Sequence, residues 1–248
     1  MKGVAIKGGS IVALVTPMTT SNAIDYDKLI SLLKWHVSEG SDGIVILGTT
    51  GESSTISHEE RTKIIETAVK TVNSAFPVIV GTGTIDTNKV IESSKHAESL
   101  GADGVLVITP YYVKPPQRAL ITHFKTVADS IKIPVILYNC PGRTGVSIAI
   151  ETVAECAKHP NIIGMRDICT HIYYIYVSIV RIFIHNLTSL VDQCIYMYIY
   201  LYFIGLKDAV GNILERLPDI RKSCKSDFLL YRSVFCLSYC YACSLYMC

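Results

Sequence analysis

Three short segments of the 248-residue chain gather side chains that could hold a small anion. Gly48-Thr49-Thr50-Gly51-Glu52-Ser53 offers two adjacent hydroxyls between glycines. Thr109-Pro110-Tyr111-Tyr112 offers two phenols. Tyr138-Asn139-Cys140-Pro141-Gly142-Arg143-Thr144-Gly145 adds a third phenol and a guanidinium. Any one of them reads equally well as a turn. Each follows an apolar run, however, so all three lie where strands end. Two threonines, three tyrosines and one arginine on a common rim form a small-anion site, because neutral donors and a guanidinium fork are the groups that satisfy anionic oxygens.

The elements that must position these segments follow a repeating pattern. Apolar runs of strand length lie at 10–16, 43–48, 77–81, 104–109 and 134–139. Helical periodicity follows each run: over 27–39 through Leu29, Ile30, Leu32, Leu33 and Val37, then after Ser57, and over 87–100, 117–130 and 148–158. Gly40 and Gly101 are helix stops, and Ser57 with Glu60 three residues on is a capping box. Five such units predict a parallel sheet, either a closed barrel or an open doubly wound sheet. The first run is followed by Thr16-Pro17-Met18, without the glycine fingerprint of a dinucleotide site, and Gly81-Thr82-Gly83-Thr84 reads as a tight turn. In a barrel the three polar segments converge at the C-terminal mouth.

Composition narrows the function classes. Half of the residues are apolar and the net charge is +2, which excludes a disordered chain and provides no basic stripe for nucleic acid. Met1–Ser10 holds no apolar signal core, and no Arg-rich presequence precedes the first strand, so a cytoplasmic protein with reduced thiols is expected. The usage is uneven. Seven of 15 tyrosines fall between Tyr173 and Tyr202, and five of nine cysteines lie from Cys224 onward. Residues 163–203 read as an atypical insertion, and 232–248 as an atypical tail, of a single domain over 1–248. Ile172–Ile184 is broken by Arg181 and Ile195–Leu206 spans 12 residues, so neither reaches membrane-spanning length. Cys236, Cys240 and Cys243 read as part of the apolar tail, since a metal site would need a fourth ligand.

From Gly9 to Ile162 the chain resembles the dihydrodipicolinate synthase family, class I pyruvate aldolases whose superfamily includes N-acetylneuraminate lyase. Gly48–Glu52 looks like the family's carboxylate-binding loop, and Tyr138–Gly145 like its tyrosine–arginine loop. The ending Arg143-Thr144-Gly145 separates it from the neuraminate lyases. The resemblance implies an α/β fold, a (βα)₈ TIM barrel that here lacks strand eight. It implies a lyase that condenses pyruvate with aspartate 4-semialdehyde to 4-hydroxy-tetrahydrodipicolinate, in the diaminopimelate route of lysine biosynthesis. A lysine Schiff base carries that reaction, with no cofactor and no metal. The implied partners are the two substrates and further copies of the chain, as homodimer or homotetramer, with neither nucleic acid nor membrane.

The same resemblance implies the roles. Lys207 forms the Schiff base with pyruvate. Tyr138 relays protons with Thr49 and with Tyr112, the latter reaching in from a neighbouring subunit. A phenol titrates near pH 10 when unperturbed, so it needs such neighbours to work near neutrality. Thr50, Gly142 and Arg143 bind substrate, Thr50 at the pyruvate carboxylate and Arg143 at that of aspartate 4-semialdehyde. His58 matches a histidine of the family's lysine-feedback pocket, and Arg61 stands where some members have another.

Strand six has two candidates in this sequence, Asn161–Asp167 and Phe203–Ala209. At the family's spacing from Tyr138 stands Arg166, whose guanidinium stays protonated and cannot form an imine. Ile204-Gly205-Leu206-Lys207-Asp208 resembles the Schiff-base strand, displaced by 41 residues, and removing Ile163–Phe203 restores the spacing. A retained intron or gene-model error leaves such a segment. Chemistry favours Lys207, whereas Arg166 needs no long internal loop. Asp227–Tyr231 resembles the start of strand seven, and without strand eight the edges of strands one and seven would be exposed. Two other readings stay open: another pyruvate aldolase such as N-acetylneuraminate lyase, and a catalytically dead, truncated family member.

Overall fold

The computed structural model describes residues 4–167 and 229–232. Seven strands alternate with helices: β1 (Ile11–Ala13), α1 (Tyr26–Ser38), β2 (Gly43–Ile46), α2 (His58–Val72), β3 (Val78–Gly81), α3 (Thr87–Ser99) and β4 (Gly104–Ile108). Then come α4 (Gln117–Asp129), β5 (Val135–Asn139), α5 (Pro141–Thr144), α6 (Ile150–Cys156), β6 (Ile162–Asp167) and β7 (Leu229–Arg232). The strands are all parallel and stand in chain order, β1-β2-β3-β4-β5-β6-β7. A doubly wound sheet reverses direction from its first strand, whereas a (βα)₈ barrel adds each strand beside its predecessor. The fold is therefore of the TIM-barrel type. Among the described residues β1 pairs only with β2 and β7 only with β6, so the sheet is not closed there.

Strand alternation divides the core into two layers. Ile44, Ile46, Val78, Val80, Val105, Val107, Val135 and Leu137 point outward and pack under the helices with Leu29, Leu33, Ile64, Leu120 and Phe124. Val45, Ile79, Leu106, Ile136 and Tyr138 point inward and form a second cluster with Ile11 and Ile163. Inward residues of six successive strands meet in that cluster, which curls the sheet around a filled interior.

Local signals set most boundaries. Asp25 caps α1 through the Lys28 amide at 3.0 Å. The Ser57–Glu60 capping box forms as predicted, with both reciprocal bonds present. Asp86 caps α3. The strands run shorter than their apolar runs: β1 spans three residues rather than 10–16, and α6 is confined to Ile150–Cys156 rather than 148–158. The apolar surplus at Leu14, Leu47 and Ile148 still packs into the core from loop positions. The short helix α5, within the Tyr138–Gly145 loop, is an element that apolar periodicity could not reveal.

Strand six is Ile162–Asp167, the first of the two candidate segments. Ile163–Asp167, read from sequence as the start of an insertion, are thus part of the sheet. Lys207, the rest of 163–203 and the cysteine-rich tail 233–248 lie outside the described residues. Among the described residues, no helix is long and apolar enough to cross a membrane.

Candidate active site

The site is assembled at the C-terminal ends of β2, β4, β5 and β6. After β2 the chain turns sharply, with Leu47 and Glu52 both in the left-handed region at φ 53° and 54°. The turn closes through the Gly51 amide on the Gly48 carbonyl and the Glu52 amide on the Thr49 carbonyl, each at 3.1 Å. The buried Thr16 hydroxyl donates to the Gly51 carbonyl at 2.7 Å and ties the turn to the segment after β1. Gly81 lets β3 pass beneath this turn, since a Cβ there would strike the Leu47 carbonyl. Arg61 of α2 braces the far side, donating to the carbonyls of Ser53 and Ile56. Thr49 is left exposed and Thr50 half-buried.

Tyr138 occupies the inner face of β5 and is 3% exposed. Its phenol lies close enough to the Thr49 side chain to be influenced by it, so the threonine turn and the end of β5 meet near this oxygen. Burial pushes the phenol above its ordinary value near 10. The Arg166 guanidinium and, to a smaller degree, the Thr49 side chain pull it back, while Cys140 adds to the rise. Cys140 lies two residues on, buried against Tyr138 in the inner cluster.

Opposite Tyr138 in the β5–β6 register stands Arg166, its guanidinium carbon 5.0 Å from the centre of the phenol ring. A bulge produces this pairing: Val135 pairs with Ile162 but Ile136 with Gly164, leaving Ile163 as the extra residue on β6. Without it Met165 would face Tyr138. Burial lowers the Arg166 pKa, and Tyr138 and Cys140 oppose that shift. The guanidinium remains charged at neutral pH.

On the outer face of the same strands, Asn139 donates to the Asp167 carboxylate at 2.8 Å and accepts from the Ile148 amide at 3.0 Å. These bonds fix the return of the loop from Tyr138 to α6. Gly145, at φ +69°, ends α5 in the conformation that glycine adopts without strain. Gly142 and Arg143 sit exposed on that helix at the rim. Tyr112 is 86% exposed at φ +67° and points away from its own chain's core, while Tyr111 is less exposed and lies near Arg61. His58 is exposed at the start of α2, its ring centre 4.9 Å from that of His96 with the two planes tilted by 31°.

The structure thus brings Thr49, Tyr138 and Arg166 together and sets Thr50, Gly142 and Arg143 on the same end of the sheet. Sequence reasoning missed Thr16, Cys140, Asn139 and Asp167. The signal for Cys140 was its two-residue spacing from Tyr138, which shares a strand face. Asn139 and Asp167 each end an apolar run, which alone does not tell a strand cap from a turn.

Comparison with known proteins identifies the lineage. Residues 7–190 match the family model described as the dihydrodipicolinate synthetase family. The chain belongs to this family. The 4-hydroxy-tetrahydrodipicolinate synthase of Rhizobium meliloti (strain 1021) is 48% identical over 160 residues, covering 64% of this chain and 54% of the relative. The chain therefore spans about half the length of the curated relatives it matches. Among solved structures, dihydrodipicolinate synthase from Aquifex aeolicus is 34% identical with a TM-score of 0.71, covering 91% of this chain and 62% of that one. The chloride-inhibited enzyme from Acinetobacter baumannii, complexed with pyruvate, is 46% identical with a TM-score of 0.65, over 66% and 56%. These likenesses agree with the TIM-barrel reading of the fold. Among the described residues no cluster of three metal-ligating side chains occurs.

Proposed function

We propose that the chain is built for the pyruvate chemistry of its relatives: condensation of pyruvate with aspartate 4-semialdehyde to 4-hydroxy-tetrahydrodipicolinate, a lyase step of lysine biosynthesis. The observation that carries this reading is the junction of Thr49 with Tyr138 at the barrel mouth, below the rim that bears Arg143. Lys207 attacks the ketone of pyruvate, the carbinolamine so formed loses water to give an iminium, and loss of a proton from the adjacent methyl group gives the enamine nucleophile. Tyr138, Thr49 and Tyr112 relay the protons. Thr50 holds the pyruvate carboxylate, and Arg143 with Gly142 receives that of the second substrate. The exposure of Tyr112 suits a role in the site of a second copy, in a cytoplasmic homodimer or homotetramer. The domain is a single barrel over 1–248, with an insertion that begins after Asp167 at the end of β6 and a tail that begins after Arg232 at the end of β7.

The experiment is borohydride trapping. The purified chain is incubated with pyruvate and borohydride, then digested. A pyruvyl adduct on the Lys207 peptide, absent after Lys207→Ala, is the expected result. A folded chain with no adduct overturns the reading.

One observation favours a second reading, a catalytically silent family member. Arg166, which cannot form an imine, occupies the β6 position facing Tyr138. Condensing activity measured with both substrates separates the two.

A further inference from the structure

The helix layer carries a pair of imidazoles that the mouth of the barrel does not use. His58 opens α2, and His96 lies in the last turn of α3. Their ring centres are 4.9 Å apart, with the planes tilted by 31°. Thr62, one turn after His58 on the same face of α2, connects them. Its hydroxyl donates to the His58 carbonyl at 3.0 Å and lies 2.8 Å from His96 Nε2. A hydroxyl has a single proton to give. With that proton on the carbonyl, the Thr62 oxygen accepts from His96 Nε2–H, and Nδ1 of His96 carries the lone pair. His96 and Thr62 are half-buried, which holds that ring in place, while the exposed His58 side chain has room to turn.

We propose that His58 and His96 form a binding site for a divalent transition-metal ion of the class that favours imidazole, such as Ni²⁺, Cu²⁺ or Zn²⁺. An imidazole nitrogen sits about 2.0–2.1 Å from such an ion, so two imidazoles at a square-planar or tetrahedral angle have ring centres about 4.5–5.2 Å apart. The 4.9 Å separation already lies in that range. Thr62 is the outer partner that a ligating histidine needs, since its oxygen fixes both the tautomer and the orientation of the His96 ring. The two ligands come from different helices, so the ion bridges α2 and α3. Among the described residues no third histidine, cysteine or carboxylate joins the pair, and water completes the coordination. The site is therefore weak and exchangeable, unlike a closed four-ligand structural site. It takes no part in the proposed condensation and requires neither Lys207 nor Tyr138.

The test titrates Ni²⁺ into the full chain at about pH 7.5, where free imidazoles are neutral. The nine cysteines can also take this ion, so the readout is confined to the imidazole ring protons, which paramagnetic Ni²⁺ broadens in NMR spectra. The His58 and His96 signals are assigned from the spectra of His58→Ala and His96→Ala. Both should broaden together, at less than about a tenth of the Ni²⁺ that the remaining histidines require, and a chelator should restore them. His58→Ala should raise the Ni²⁺ needed to broaden His96 about 10- to 100-fold, because the second ligand of a chelate acts at high effective concentration. His96→Ala should do the same for His58, and Thr62→Val should weaken the response of both severalfold. His58 is exposed, so His58→Ala carries the test if circular dichroism shows the His96 variant unfolded. Broadening of the pair no earlier than the other histidines, a response of either ring that ignores loss of the other, or no effect of Thr62→Val would each overturn the proposal.

Discussion

At the tops of β5 and β6 two neighbouring residue pairs share one register and opposite faces. Tyr138 and Arg166 point inward, to the mouth of the barrel, where the phenol meets Thr49. Asn139 and Asp167, one residue on, point outward and are buried. The first pair lines the interior at the mouth, Tyr138 buried and Arg166 partly exposed. The second pair holds the loop to α6, with hydrogen bonds of 2.8 and 3.0 Å. All four residues are polar and sit at the end of apolar runs. Their roles differ because adjacent side chains on a strand project to opposite faces. A slip of one residue would exchange the two sets.

The sharpest way to break this contrast is to remove the outer pair. Asn139→Ala deletes both bonds and leaves the Asp167 carboxylate buried without its amide donor, at a cost of about 3 kcal/mol. Denaturant unfolding should show that loss, while a loss under about 1 kcal/mol would reassign Asn139 to a minor role. Tyr138→Phe, on the inner face, should leave stability nearly unchanged by comparison.

The helix layer extends the contrast to pH. His123 of α4 is buried, with Nδ1 bonded to the Thr87 hydroxyl at 2.8 Å, and burial pushes its pKa down to about 4. Among the described residues its Nε2 has no hydrogen-bond partner. In the unfolded chain this imidazole takes up a proton below about pH 6.5. The unfolded state therefore binds more protons between about pH 6.5 and 4. Stability is fully present above that window and falls by up to about 3 kcal/mol as the pH drops through it. His36 is shifted in the same direction by burial and adds to the trend. Unfolding free energies measured across the window should fall less steeply in His123→Gln than in the parent chain. An unaltered slope would show that His123 does not control acid stability.

The smallest effects belong to the inner face and move the phenol alone. Thr49→Val removes a hydroxyl that lowers the Tyr138 pKa, so the phenol should titrate higher. Cys140→Ala removes a neighbour that raises it, so the phenol should titrate lower. NMR of ring-labelled tyrosine, assigned with Tyr138→Phe, reads both shifts. Movement in the same direction in both variants would mean that Thr49 and Cys140 do not act on this oxygen as described.

Much of the architecture was already legible in the residues. The five apolar runs and their amphipathic partners form β1 to α6 in order, because alternation of period 2 and period 3.6 reflects burial on one or two faces. The Ser57–Glu60 cap was readable because both partners lie within one turn. The three polar segments lie at strand ends, as expected from hydrophobic runs that stop. The exposure of Tyr112 and the short helix α5 were not legible, since neither leaves an apolar period.

The sequence by itself determined the parallel α/β class and the polar loops, and it narrowed the sixth strand to two candidates, each containing a base followed by aspartate. Local chemistry could not go further, because Asn161–Asp167 and Phe203–Ala209 have the same short-range pattern. The tertiary structure decided that Ile162–Asp167 pairs with β5, and that a bulge at Ile163 sets Arg166 rather than Met165 against Tyr138. The physical reason is that register is a property of two strands together. It depends on which side chains fill the interior and which backbone groups find partners across the sheet, and neither strand's residues contain that information alone.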